Sequence, residues 1–194
     1  MKSPRPSPSG PALSARSGSP ARLPVIALSV LALLAAMWGG LLRLGWNFPP
    51  VDAGLANVHG PLMIGGFLGT LISLERAVAL RARWPYLAPL ASALGALVLI
   101  GGVSRVGGAV LITVGSVGML AIFALIVKRQ PALYTYSMAA GAAMWLVGNL
   151  IWLFGLPLFH AVLWWSGFLI LTIVGERLEL ARLQRLAPLV ERLY

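Results

Sequence analysis

Cysteine is absent from this chain of 194 residues. Disulfides, thiolate metal sites and cysteine nucleophiles are therefore excluded, whatever the compartment. Charge is also scarce. Only 10% of the residues are charged, where a soluble domain of this length carries about a quarter. Acids are fewest, five in all, and there are two lysines against thirteen arginines. Histidine occurs twice. The net charge of +10 could suit nucleic acid, but that needs a basic face on a soluble scaffold. Here the basic residues sit between long apolar runs, so no nucleic-acid partner is expected. No phosphate-binding loop, HExxH, serine triad or dinucleotide fingerprint occurs, and nothing in the sequence supports catalysis.

What remains is apolar. Hydrophobic residues make up 59% of the chain, too many for a solvated surface, and the lipid bilayer is the expected solvent. Residues 1–22 are rich in Pro, Ser, Gly and Arg and cannot bury a core, so they read as a disordered cytoplasmic tail. Six apolar stretches follow, about 23–44, 55–79, 86–104, 107–127, 133–155 and 158–181. Each is near the roughly 20 residues that cross a bilayer. Turn residues separate them, among them Asn47-Phe48-Pro49-Pro50, Arg83-Trp84-Pro85, Gly107-Gly108 and Gly155-Leu156-Pro157. The fold class is therefore all-α, a polytopic membrane helix bundle of about six transmembrane helices over 23–186, with 187–194 a cytoplasmic tail.

Lysine and arginine set the orientation. With the N-terminus inside, thirteen basic residues lie on the cytoplasmic side and only Arg43 and Arg105 outside. Trp38, Trp46, Trp84, Trp152, Tyr86 and Tyr134 fall near helix ends, where an interfacial aromatic belt belongs. The preference for Arg over Lys fits a bacterium, and the cell (inner) membrane is the expected location.

Residues 59–83 can be laid on 160–184 without a gap, with nine of 25 positions identical. The shared residues include His59/His160, Gly66/Gly167, Phe67/Phe168, Glu75/Glu176 and Arg76/Arg177. The offset spans four helices, so the pattern reads as a four-helix internal repeat whose second copy is nearly absent. That arrangement leaves open a truncated member of a longer protein, a homo-oligomer, or a larger membrane subunit that completes the unit.

His59 and His160 each begin a helix at the outer face, at similar depth. If the second and sixth helices are neighbours, the two imidazoles could hold one metal or one haem. Met63 lies one turn from His59 on the same face, and its thioether suits haem iron or Cu(I). Gly66, Thr70 and Ser73 continue that face. The plain alternative is that both histidines are solvated at the interface and Met63 only packs. Glu75-Arg76 and Glu176-Arg177 lie 16 residues further on, about 24 Å along a helix. Adjacent residues on a helix do not face each other. The pairs are therefore expected to cross, Glu75 with Arg177 and Glu176 with Arg76, as a structural clamp, with a proton path through Glu75 as the alternative. Asn149, in the outer half of the fifth helix, could bond another helix or support His160.

The run His59-Gly60-Pro61-Leu62-Met63-Ile64-Gly65-Gly66-Phe67, followed by Gly69-Thr70 and Leu74-Glu75-Arg76-Ala77, resembles the His-x-x-x-Met-x-x-Gly-Phe helix of NnrS-like membrane proteins. The resemblance implies a polytopic protein associated with haem and copper and linked to the bacterial nitric oxide response. A four-helix repeat with histidine ligands is also similar to the arcs of haem–copper oxidase catalytic subunits. In the NnrS-like pattern a second His stands two residues upstream and an acid directly follows the first. Here Asn57 and Gly60 occupy those places, so His59 and Met63 inherit the candidate ligand role and His160 joins them through the repeat. A non-catalytic subunit and a small transporter without cofactor remain the alternatives.

Overall fold

A computed structural model describes residues 22–46, 49 and 54–191. Among the described residues the fold is all-α, with six helices: α1 (Arg22–Arg43), α2 (Leu55–Leu80), α3 (Trp84–Ile100), α4 (Arg105–Arg129), α5 (Leu133–Leu153) and α6 (Leu158–Glu191). All but α3 are long and apolar enough to cross a membrane by length and composition.

The helix ends follow local chemistry. The third apolar stretch, expected over 86–104, stops as α3 at Ile100 because Gly101-Gly102 turns the chain. Gly102 takes a φ of 64°, a left-handed conformation that costs glycine little. Ser104 then caps α4, its Oγ accepting the Gly107 N–H at 2.9 Å. The cap moves the start of α4 to Arg105. The expected tail 187–194 is helical over its described residues. α6 runs on to Glu191, since Leu, Arg, Gln and Ala after Gly175 are strong helix formers. Residues 192–194 lie outside the described residues. So do 1–21 of the expected N-terminal tail, whose last residue, Arg22, is the first of α1. Most of the Asn47–Pro50 turn is outside as well.

α2 is the centre of the bundle and is not a plain α-helix. A 3-10 turn over Leu55–Val58 and an α turn over His59–Pro61 lead into a π-helix, Leu62–Gly69, before α geometry resumes over Thr70–Leu80. π-Helical turns are uncommon and cluster at functional sites. The small residues of this segment let its neighbours close in. A Cβ on Gly66 would meet Ala32 of α1 and Ala96 of α3 at about 3 Å, and one on Gly65 would meet Ile112 of α4 at 2.6 Å. Trp145 of α5 fills the space beside Gly69 and stacks on Phe168 of α6 with ring centroids 5.3 Å apart. Gly66, Thr70 and Ser73 are thus buried against other helices.

α6 packs chiefly along α5. Trp165 donates its Nε1–H to Asn149 Oδ1 at 3.0 Å within that contact, which is where Asn149 is engaged. At the other end of the same pair, Arg182 Nη1 donates to the Tyr134 hydroxyl at 2.8 Å and lies over its ring. The segments 59–83 and 160–184 do not share a conformation. The first passes through the π-helix, whereas the second is unbroken α-helix.

Candidate functional site

His59 is held from outside its own helix. Its Nδ1 lies 2.6 Å from the Ala36 carbonyl oxygen of α1. A carbonyl only accepts, so Nδ1 carries a proton, and Nε2 is the nitrogen whose lone pair the neutral ring would offer. A Cβ on Gly40, one turn after Ala36, would stand 3.0 Å from both Nδ1 and Cε1 of that ring. Glycine at position 40 is what lets the imidazole lie flat against α1. A backbone carbonyl on one ring nitrogen is the usual outer support of a histidine that offers the other nitrogen to a metal.

The half-buried ring lines a cleft of about 380 Å³ between the C-terminal end of α1 and the N-terminal halves of α2 and α6. Met63 shares this cleft, as do Arg43 from the end of α1 and Trp165 and Ser166 from α6. His160 does not. It is exposed, stacks on Phe159 with ring centroids 3.9 Å apart, and lines a separate apolar cleft with Leu163 and Trp164. The structure therefore brings His59 and Met63 together and places His160 elsewhere. Among the described residues no cluster of three or more His, Asp or Glu side chains is arranged to hold a metal.

At the opposite end of α2 the acidic and basic residues meet. Arg76, with one-tenth of its side chain exposed, lies 3.4 Å from Glu176 and 3.4 Å from Glu179 of α6. It also lies 3.4 Å from its own neighbour Glu75, a contact the adjacent-residue argument did not anticipate. The long arginine side chain reaches across α6 while the exposed Glu75 folds back toward it. Arg177 is exposed and forms no ion pair among the described residues, so the crossed pair Glu75–Arg177 is not made. Glu179 was missed in the sequence reading. It stands three residues after Glu176, on the same face of one helix, and that spacing was the available signal.

This central helix, its histidine cleft and its arginine hub all lie within one matched segment. The chain belongs to the DUF8744 family, a domain of unknown function, whose model matches residues 22–194. Neither a curated protein nor a solved structure matches. The DUF8744 segment starts at the first residue of α1, so the Ala36 and Gly40 support of His59 is part of the family domain.

The donors at the cleft constrain what they can hold. His59 and Met63 are four residues apart on one helix and so lie on the same side of any ligand between α2 and α6. They cannot approach a haem from its two opposite faces. An imidazole and a thioether on one side fit a copper ion, whose cuprous form favours soft sulfur. A haem would take His59 alone as its protein ligand.

Proposed function

We propose that this DUF8744 chain is a multi-pass membrane protein, with its N-terminus cytoplasmic, that binds copper or haem in the outer-face cleft through His59. The observation that carries the metal reading is the Ala36 carbonyl on Nδ1, which leaves Nε2 as the free donor in a cleft it shares with Met63. The membrane reading rests on five long apolar helices and on large apolar side chains exposed around the bundle, such as Leu34, Val114, Phe159 and Ile170. Such a surface suits lipid rather than water. Helix α3 spans Trp84–Ile100 and meets the lower bound of about 17 residues for a crossing. The asymmetry of Lys and Arg supports the orientation.

The likeness of the α2 motif to NnrS-like proteins is what supports a nitric-oxide-response or respiratory role within this proposal. The four-helix repeat is the sole ground for counting His160 as a second ligand. Elemental analysis and an optical spectrum of the purified chain test the proposal. Bound copper or a Soret band is expected, lost in His59→Ala. Retention in His160→Ala would confine the site to the α2 cleft, whereas loss would support the two-histidine arrangement. A colourless, copper-free protein that takes up neither added cuprous ion nor haem overturns the metal reading.

A further inference from the structure

The cleft beside His59 is longer and more apolar than a metal ion requires. Its walls include Leu158 and Leu169 of α6 and Ile64 of α2. Leu158 and Leu169 are eleven residues apart on one unbroken helix, about 16 Å along its axis. That is roughly the depth of one leaflet of a hydrocarbon core about 30 Å thick. α6 packs chiefly on α5 and meets α2 through the Arg76 ion pairs at one end and through Leu158 and Trp165 beside Gly60 at the other, with the groove lying along that second contact. At its mouth stands Arg43, the last residue of α1. Arg43 is one of two basic residues on the outer side, against the general bias of this chain. The other, Arg105, lines a smaller cleft of about 200 Å³ with the polar Asn57 and Ser104.

We infer that the groove between α2 and α6 is a binding site for an anionic phospholipid of the outer leaflet. Its phosphate pairs with the Arg43 guanidinium and one acyl chain lies along Ile64, Val162 and Leu169. A guanidinium matches a phosphate with two parallel hydrogen bonds. The apolar walls replace neighbouring lipid tails without exposing a polar group. The inference rests on the membrane reading; because His59 and Met63 line the same cleft, it is compatible with a copper ion there and competes with a haem.

The test is native mass spectrometry of the full chain in mild detergent, offered phosphatidylglycerol or phosphatidylcholine. One phosphatidylglycerol is expected to be retained about fivefold more than phosphatidylcholine, the preference one arginine near a membrane surface supplies. Arg43→Gln should bring that ratio to unity, while Arg105→Gln leaves it intact. Val162→Trp, which fills the groove, should lower retention of both lipids. Circular dichroism establishes that each variant keeps its helices. Equal retention of the two lipids by the native chain, or an unchanged ratio in a folded Arg43→Gln protein, overturns the inference and leaves the membrane reading standing. A chain that remains dispersed in buffer without detergent overturns both.

Discussion

His59 shows how much of a site is set by a residue with no functional group of its own. Gly40 presents bare backbone to the imidazole, and the Ala36 carbonyl holds its Nδ1 proton. Gly40→Ala should push the ring a few tenths of an ångström off α1 and weaken that hydrogen bond. A thermal unfolding loss of about 1 kcal/mol is expected, at the lower end of overpacking, with a larger drop in copper or haem affinity. Unchanged affinity in the folded variant would mean that α1 does not position His59. Arg76 gives a second test. Its carboxylate partners are between 38% and 62% exposed, so their pairing is weaker than in a dry interior. Arg76→Ala is expected to cost about 1–3 kcal/mol by detergent unfolding, below the 3–5 of a fully buried pair. The exposed Arg177→Ala should stay within about 0.5 kcal/mol.

Among the elements, α2 carries the functional geometry because it changes helix type along its length. The π-helix over Leu62–Gly69 sets the rotation between the His59 turn and the Arg76 turn. Inserting one alanine after Thr70, beyond the π segment, should rotate the helix from Leu71 onward by about 100°. Arg76 would then leave Glu176 and Glu179. In that background Arg76→Ala should cost little further, a non-additivity read by double-mutant unfolding. Full additivity would show that the rotation of α2 does not position the hub. A separate expectation concerns the contact between α2 and α5. Trp145 is wholly buried beside Gly69, and Trp145→Ala should cost about 3–5 kcal/mol through the cavity it leaves.

For the whole molecule, alanines concentrate on the inward faces, beside aromatic and aliphatic core residues such as Trp145, Phe123, Leu62 and Ile112, and large apolar residues also cover the outward faces. Ala32, Ala36, Ala96 and Ala142 are fully or almost fully buried, whereas Leu23, Leu44 and Leu163 are more than two-thirds exposed. In the proposed lipid setting hydrophobic burial from water would not order such a bundle, and close packing of small residues would take its place. The chain is therefore expected to stay with membranes through alkaline carbonate washing and to need detergent for release. A tag on its N-terminus should be cleaved by protease in inverted vesicles and protected in intact cells. Release by carbonate, or cleavage in intact cells alone, would contradict the assigned membrane placement or orientation.

Helix content was legible in the sequence because each apolar run is long, and α1, α3, α4 and α5 are followed within two residues by Pro or Gly. The approximate positions of α1, α2, α4, α5 and α6 follow from the length of those runs, while the start of α4 and the end of α6 do not. The Glu-Arg pairs also showed in the sequence as the scarce charges of α2 and α6, yet which carboxylates Arg76 meets depended on the rotation set by the π-helix. Repetition in sequence placed His59 and His160 alike, but tertiary packing separated them. His59 lies against a glycine of α1, whereas His160 lines a cleft with α6, Ile151 at the end of α5 and Leu156 of the link between them. Apolar periodicity reports which residues avoid water. It carries no record of which backbone carbonyl a ring nitrogen finds, because that contact joins positions 23 residues apart through the crossing of two helices.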